Sequence, residues 1–265
     1  MARIFITGSS DGLGLLSAKQ LIASGHRVVV HARNEERAKS TVRQISGAED
    51  VVIGDLSGME ETKQLAEKVN KLGTFNAIIH NAGIYRVQAN ARSIDGLPLL
   101  FAVNSLAPFI LTTLINRPER LIYLSSGMHR QGNASEDRLN SILDGKYFPS
   151  YSDTKLHNLI LALAVNRKWP GVISNAVDPG WVPTKMGGSH APDDLNQGFE
   201  TQVWLAVEYD KEALRSGRLL YHKKEVNFNL QAKEENIQEK FLSACEKITG
   251  LPFISDDYQR NQQLS

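Results

Sequence analysis

The sequence has very little cysteine and no excess of charge. Cys245 is the only cysteine, so no internal disulfide bond can form, and the composition is compatible with a reducing compartment. Lysine and arginine number 30 against 29 for aspartate and glutamate, which leaves a net charge of +1 and nothing to attract a polyanion. Nucleic acid is therefore not an expected partner.

Long apolar segments and metal-binding motifs are also missing. No apolar stretch is long enough to span a membrane, and the run Ile4–Ile6 near the start is too short for the core of a signal peptide. The seven histidines show neither H-E-x-x-H nor a Cys/His ligand spacing. We expect a soluble, cytoplasmic protein with no metal site.

What the sequence does contain is a regular alternation of strand-like and helix-like segments, typical of βαβ units and a parallel sheet. At 265 residues and 42% hydrophobic composition, the chain can bury one large core. We predict one domain over residues 1–255, an α/β fold with a doubly wound, mainly parallel seven-stranded sheet, and a flexible tail over residues 256–265. The predicted strands are Arg3–Thr7, Arg27–His31, Asp50–Ile53, Ala77–His80, Arg120–Ser125, Ile173–Val177 and Arg218–Tyr221.

Several helix ends are marked by capping residues. Asn34 is placed to cap a helix that runs toward Ser46. Ser57 and Glu60 have the spacing of a capping box. Residues Glu234–Lys247 have the pattern of one amphipathic helix.

A glycine-rich turn follows the first predicted strand and precedes a helical pattern. Such a turn directs backbone N–H groups at the start of a helix toward an anion, and its glycines allow a pyrophosphate to approach closely. On its own it is a weak signal for a dinucleotide. The turn reads Thr7-Gly8-Ser9-Ser10-Asp11-Gly12-Leu13-Gly14.

A second motif has the chemistry of proton transfer. Tyr151 and Lys155 are four residues apart at the head of a helical pattern and so share one face. A phenol has a pKa near ~10 and needs a cation beside it before it can exchange a proton at neutral pH. Lys155 supplies that cation, and Ser126, at the end of a predicted strand, can donate a hydrogen bond to a substrate oxygen. Ser125 is interpreted as structural.

Together these motifs resemble those of short-chain dehydrogenases/reductases, in the order typical of that family, over roughly residues 1–225. The resemblance implies a Rossmann-type fold and an oxidoreductase that acts on a carbonyl or an alcohol. It rests on Thr7-Gly8-x-x-x-Gly12-x-Gly14, Asp55-Leu56, Asn81-Ala82-Gly83, Asn104, Ser126, Tyr151-x-x-x-Lys155, and Pro179-Gly180 with Thr184.

The resemblance also implies a role for each residue. Tyr151 is the general acid/base, Ser126 orients the substrate, Lys155 lowers the pKa of Tyr151 and holds the nicotinamide ribose, and Asn104 fixes a water in a proton relay. Each has a plainer alternative, such as Asn104 satisfying backbone groups. The implied cofactor-binding residues are Thr7, Gly8, Ser10, Asp11, Gly12, Leu13, Gly14, Arg33, Asp55, Leu56, Asn81, Ala82, Gly83, Tyr151, Lys155, Pro179, Gly180, Val182 and Thr184; Asp55 meets the adenine, and Val182 and Thr184 meet the carboxamide.

The end of the second strand favours NADP(H) over NAD(H). NAD-preferring relatives carry an acidic residue where this chain has Ala32, and Arg33 follows, which can clamp a phosphate. His31 and Asn34 are possible helpers. Asp11 in the glycine turn argues the other way, so NAD(H) stays open.

The region after Ser126 bears on the substrate. The 24 residues Gly127–Ser150 are predicted to roof the pocket and resemble retinol-dehydrogenase-type and protochlorophyllide-reductase-type members, which indicates an apolar small-molecule substrate. The glycine-rich loop Thr184–His190 is a candidate lid, and Trp181 a candidate for the substrate mouth. His157 is expected to be packed rather than catalytic.

Two questions stay open at this point. Many relatives pair through helices that here would begin near Asn104 and Tyr151, but Arg117-Pro118 shortens the first, so a homo-oligomer is left undecided. A dinucleotide-sensing protein without turnover is the alternative to an enzyme, since the fold alone does not distinguish them.

Overall fold

A computed structural model describes residues 1–256; residues 257–265, nearly all of the predicted tail, lie outside the described part. One sheet runs through the domain. Its strands are β1 (Arg3–Ile6), β2 (Arg27–Ala32), β3 (Asp50–Ile53), β4 (Ala77–His80), β5 (Arg120–Leu124), β6 (Ile173–Asp178), β7 (Leu219–Tyr221) and β8 (Lys224–Glu225).

Helices connect the strands and cover both faces. They are α1 (Gly12–Ala23), α2 (Glu35–Gln44), α3 (Met59–Lys71), α4 (Leu99–Phe101), α5 (Ala107–Leu114), α6 (Glu136–Leu143), α7 (Tyr151–Lys168), α8 (Leu195–Val207) and α9 (Glu235–Thr249). A π-helical segment, Ala102–Leu106, joins α4 to α5, and 3-10 turns cover Gly127–Gln131 and Leu230–Lys233. No helix of residues 1–256 combines the length and apolarity that crossing a bilayer requires.

The strand order is β3-β2-β1-β4-β5-β6-β7-β8. Every neighbouring pair is parallel except β7 with β8. Because the chain runs outward from β1 to β3 and then returns to start β4 beside β1, the order reverses between β1 and β4. In open α/β sheets this reversal leaves a crevice at the carboxyl ends of the strands, where ligands bind. The predicted doubly wound α/β fold is confirmed.

The core has two parts, one on each face of the sheet. Alternate strand residues point to opposite faces, so Phe5 packs under α3, α5 and α7, while Ile4 packs under α1 and α8. Strands buried on both faces read as continuous apolar runs, which is why the strand predictions are within one residue of the observed ends.

Helix α7 is covered on all sides. Residues 152–165 are all buried, because the sheet lies on one side and α9 on the other. His157 is packed as expected, with Nδ1 at 3.0 Å from the Ser105 hydroxyl and its ring 5.0 Å from that of Phe241. A second copy could pair through α7 only after α9 had been displaced.

Two details of the predicted fold are wrong. The sheet has an eighth strand, which follows a two-residue turn at His222 and Lys223, both at positive φ. Turns of this kind usually carry Asn-Gly, so His222-Lys223 does not predict one. The capping box is also absent: α3 begins after Gly58 without a side-chain cap, and its Met59 N–H is bound by Asp95 from a distant loop.

The predicted roof over the pocket is wrong as well. Residues 127–150 fold into a 3-10 turn and α6, whose apolar residues Leu139 and Ile142 are buried with those of α9. Lys240 of α9 forms an ion pair with Glu136. The segment therefore packs on the outer side of α7, because its apolar residues are buried there against α7 and α9.

The head of α7 is held by a buried carboxylate, Asp153. It accepts hydrogen bonds from the Ser150 N–H at 2.7 Å, the Ser150 hydroxyl at 2.8 Å, the Tyr147 hydroxyl at 2.6 Å and the Asn133 N–H at 2.8 Å. Arg138 lies 3.3 Å away. Burial by itself would raise the pKa of Asp153, but the hydrogen bonds outweigh it and hold the pKa below its ordinary value.

We expect Asp153→Asn to lower the free energy of unfolding by about 2 kcal/mol at neutral pH, since an amide cannot accept from all of these donors. A carboxyl with a lowered folded pKa stabilises above its unfolded pKa of about 3.9 and loses that contribution as the pH falls through the folded value. The gap between wild type and variant, measured by urea unfolding, should therefore narrow below about pH 4. An unchanged gap there would contradict this role.

Candidate active site

A cleft of about 650 Å³ opens at the carboxyl ends of the strands. The glycine turn lines one end and Tyr151 with Lys155 the other, so the structure brings the two motifs into one site. Other predicted residues that line the cleft are Gly8, Ser10, Asp11, Gly12, Leu13, Arg33, Asp55, Leu56, Asn81, Ala82, Gly83, Pro179 and Thr184. Thr7, Gly14, Asn104, Ser126, Gly180 and Val182 are not among the lining residues.

The glycine turn is held by an amide. Asn81 Nδ2 donates to the carbonyls of Thr7 and Gly8, each at 3.0 Å. A Cβ at Gly14 would lie 2.4 Å from Asn81 Nδ2, and one at Gly8, where φ is +63°, would lie 2.7 Å from Ala82 Cα. Glycine is therefore required at both positions by close backbone packing.

Asp11 caps α1, and its carboxylate is paired with two cations. Its carboxylate accepts from the Gly12 N–H at 2.8 Å and pairs with Lys185 at 2.5 Å and Arg37 at 3.5 Å. Burial alone would raise the pKa of Asp11, but the hydrogen bonds from Lys185 and Gly12 outweigh it and lower the pKa. Lys185 and Arg37 were missed by sequence reasoning; the available signal was the position of Arg37 in the first turn of the helix that Asn34 was predicted to cap, close after Arg33.

His31 lines the cleft and supports the backbone there, while its possible help in binding a phosphate stays a prediction. It is buried, and Nδ1 accepts from the Gly8 N–H at 2.9 Å while Nε2 contacts the Gly54 carbonyl at 2.8 Å. Burial lowers its pKa, which keeps the ring neutral. Asn34 caps α2 as predicted, with Oδ1 accepting from Arg37 N at 3.0 Å. Both side chains support the backbone around Arg33.

Lys155 and Tyr151 differ in their electrostatics from the prediction. Lys155 Nζ donates to the Leu124 carbonyl at 2.8 Å and lies 5.4 Å from the Tyr151 ring centroid. Burial lowers the pKa of Lys155 to about 8. Burial also raises the pKa of Tyr151, with the Ser126 hydroxyl opposing and Tyr85 and Asp178 adding to the rise. Lys155 alone does not make this phenol acidic, because its ammonium is directed to a carbonyl.

The two serines have different surroundings. Ser125 is buried, donates from Oγ to the Lys155 carbonyl at 2.8 Å and also lines the cleft. Its structural interpretation stays a prediction. Ser126 is partly exposed, and its hydroxyl accepts from the Met128 N–H at 3.3 Å. A hydrogen bond from the Ser126 side chain acts to lower the pKa of Tyr151, against the effect of burial.

Asn104 joins the fourth strand's end to α7. It is fully buried in the π-helical segment; Oδ1 accepts from the Ile84 N–H at 2.8 Å, and Nδ2 donates to the Ile84 carbonyl at 2.8 Å and Thr154 Oγ1 at 3.1 Å. The alternative that Asn104 satisfies backbone groups is thus observed. A Cβ at Gly83 would lie 3.4 Å from both Asn104 Oδ1 and Lys155 Nζ.

The loop after β6 crosses the cleft. Met186 Sδ lies 3.9 Å from the Tyr151 hydroxyl, and Thr184 Oγ1 accepts from the Gly187 N–H at 3.2 Å. Val182 is buried. Trp181 is 58% exposed and does not line the cleft, so its expected place at the mouth is not observed; its indole N–H donates to the Gly187 carbonyl instead.

Comparisons with known proteins agree with this geometry. Residues 2–133 match the family model described as short chain dehydrogenase. The short-chain dehydrogenase chyC of Penicillium rubens is 41% identical over 257 residues, covering 95% of this chain and 98% of that protein. Human retinol dehydrogenase 14 is 26% identical, covering 94% and 86%.

Solved structures share the fold. An uncharacterized protein from Mycobacterium paratuberculosis superimposes with a TM-score of 0.81 at 22% identity, covering 96% of this chain and 95% of that chain. A blue fluorescent protein from a metagenomic library, solved with NADPH, gives a TM-score of 0.66 at 20% identity, covering 83% and 95%.

We expect Gly14→Ala to destabilise the protein by about 1–3 kcal/mol, because its Cβ would displace Asn81 and the turn. NADPH binding, measured by fluorescence titration, should weaken by about tenfold or more. Gly171→Ala is the matched control, since nothing lies within 4 Å of a Cβ there. Equal behaviour of the two variants would contradict the packing argument.

Proposed function

This chain belongs to the short-chain dehydrogenase/reductase family and is related to its retinol dehydrogenases, and from that premise we propose that it is an NADP(H)-dependent oxidoreductase interconverting a carbonyl group and an alcohol. The observation that carries the proposal is the single cleft that holds the glycine turn at one end and Tyr151 with Lys155 at the other. The relatives' names and the NADPH-bound neighbour are consistent with it.

The residues present fit a nicotinamide dinucleotide. The Gly12 N–H is bound by Asp11, so within residues 1–256 the Leu13 and Gly14 N–H groups are the ones at the start of α1 that are left to face a pyrophosphate. When bound, the nicotinamide supplies or accepts the hydride. Residues of the glycine turn, Asp55, the Asn81–Gly83 segment, Lys155 and Thr184 would hold the rest of the molecule.

The preference for NADP(H) follows from two arginines. Arg33 and Arg37 both line the cleft, and position 32 is an alanine. Within residues 1–256, Arg33 has no hydrogen bond or ion pair, whereas Arg37 shares Asp11 with Lys185. Guanidinium groups bind a phosphate through several charge-assisted hydrogen bonds, so this pair favours the phosphate on the ribose of NADP(H).

The phenol of Tyr151 holds the proton that the substrate oxygen would receive, although burial makes this phenol a weak acid by itself. Its raised pKa keeps it protonated at neutral pH, while Lys155, with a pKa of about 8, is mostly an ammonium there. In the reduction direction Tyr151 would protonate the substrate oxygen, with Ser126 donating a hydrogen bond beside it. Asn104 has already donated both amide hydrogens, so a relay water at this place must donate to an Asn104 oxygen.

The substrate side of the cleft is apolar. It is formed by residues from the end of β4, the α4 region and the loop after β6. These residues, and not the predicted roof, support an apolar substrate. These residues are Ile84, Val87, Leu99, Val103 and Met186.

We expect Tyr151→Phe to lower kcat by about 100- to 10,000-fold with aldehyde and ketone substrates, because the proton donor is lost. Its NADPH dissociation constant should stay near the wild-type value. Tyr209→Phe, at a residue that is 66% exposed, is the control. Turnover that survives in Tyr151→Phe would rule out its role, and no turnover by wild type across a broad panel would favour a dinucleotide sensor.

We expect Arg33→Ala to lower the ratio of kcat/KM for NADPH over NADH by about 10- to 100-fold, since a charge-assisted contact to phosphate is removed. Arg43→Ala, at an exposed arginine of α2 that does not line the cleft, should leave the ratio unchanged. An unchanged ratio in Arg33→Ala would contradict the assignment of the cofactor phosphate.

A further inference from the structure

The Tyr151 end of the cleft has one cation without a hydrogen-bond acceptor among residues 1–256, Arg86. It lines the cleft two residues after Ile84. Within residues 1–256 its guanidinium makes no ion pair and no hydrogen bond; its contact is with the Tyr85 ring, 5.8 Å from Cζ to the centroid. A guanidinium left without an acceptor in a cleft is available to a ligand.

The other two cations at this end are already engaged. Lys155 Nζ donates to the Leu124 carbonyl, and Lys185 pairs with Asp11. Arg86 is thus the cation in this part of the described cleft that is free to bind an added anion.

Arg86 is exposed, and the residues before it in the chain are held in place. Asn104 clamps the Ile84 N–H and carbonyl, each at 2.8 Å. The Tyr85 ring packs edge-on against the Tyr151 ring with centroids 4.6 Å apart. The guanidinium therefore stands one aromatic ring away from the phenol that transfers the proton.

Among the described residues, no carboxylate lines the cleft at this end. The acidic lining residues, Asp11 and Asp55, belong to the glycine turn and the end of β3. Asp178 has an electrostatic effect on both Tyr151 and Lys155, but it binds the Gly180 N–H at 3.0 Å and is not a lining residue. A carboxylate brought in by a ligand would meet Arg86 without a competing acid.

We propose that Arg86 binds a carboxylate of the substrate, so that the preferred substrates are keto acids or the corresponding hydroxy acids with an apolar body between the acid and the reacting carbon. This rests on the proposed function. The apolar wall holds the body, and Arg86 forms charge-assisted hydrogen bonds with the acid about one ring's width from Tyr151. The acid takes no part in the reaction, in which the carbonyl gains a hydride from NADPH and a proton from Tyr151.

A cofactor phosphate is the other anion that could reach a cleft arginine. The glycine turn and the Arg33–Arg37 pair already account for the cofactor's phosphates, and Arg86 belongs to the opposite end. The KM for NADPH and the KM for the acid substrate, both measured in Arg86→Gln, distinguish a cofactor phosphate from a substrate carboxylate.

The test uses the full chain with NADPH and three pairs of substrates, each an aromatic ketone with a carboxylate and its neutral carboxamide, with different distances between the two groups. We expect wild type to prefer the acid in at least one pair by about 10- to 100-fold in kcat/KM, mainly through KM. Arg86→Gln should abolish that preference. Arg43→Gln should retain it.

Three results would overturn the proposal. The first is that wild type shows no preference for the acid in any pair, and the second is that Arg86→Gln keeps the preference unchanged. The third is that Arg86→Gln raises the KM for NADPH and leaves the KM for the acid unchanged. A binding measurement separates this from failure of the proposed function. Tyr151→Phe loaded with NADPH should still bind the acid more tightly than the amide by calorimetry, and adding Arg86→Gln should remove the difference. If wild type reduces neither compound, the proposed function fails while this comparison still decides the role of Arg86.

Discussion

One buried carbonyl, that of Leu124, ties the reactive helix to the sheet. It accepts from Lys155 Nζ at 2.8 Å and from Asn158 Nδ2 at 3.0 Å, one turn apart on α7. Both bonds are buried, so breaking either would leave an unsatisfied polar group in the core. The height of α7 above the carboxyl ends of the strands, and with it the place of Tyr151, depends on this contact.

Around that contact, polar side chains form hydrogen bonds to backbone segments that belong to no strand or helix. Asn81 holds the glycine turn, His31 holds it from behind, and Asn104 clamps the segment after β4 to α7. Each binds two or more backbone or side-chain groups across long stretches of sequence. The floor of the cleft is therefore held by several buried hydrogen bonds, whereas the loop that carries Lys185 and Met186 is held by an exposed ion pair and single contacts.

The electrostatics of the cleft divide it into two parts. At the glycine turn, Asp11 is shared by two cations beside Arg33, which has no ion pair within residues 1–256, and this leaves a net positive surface suited to phosphate. At the other end, burial keeps the phenol protonated and lowers the lysine pKa to about 8. In the function proposed above, a bound cofactor would add its own charge there, so the acidity of Tyr151 would depend on the assembled site and not on Lys155 alone.

The sequence by itself determined the features that depend on neighbouring residues: the apolar strands, the glycine turn, the cap at Asn34, and the helix that puts Tyr151 and Lys155 on one face. These follow from short-range periodicity and backbone sterics. Only the tertiary structure decided that residues 127–150 pack behind α7, that His31 supports the turn, that Asp95 serves α3, and that Arg37 and Arg86 enter the cleft. Each of these depends on contacts between distant segments. The tertiary structure also raised the pKa of Tyr151, where the neighbouring Lys155 had predicted a lowered one. The reason is that desolvation is a property of the packed fold and not of the residues beside a group in the chain.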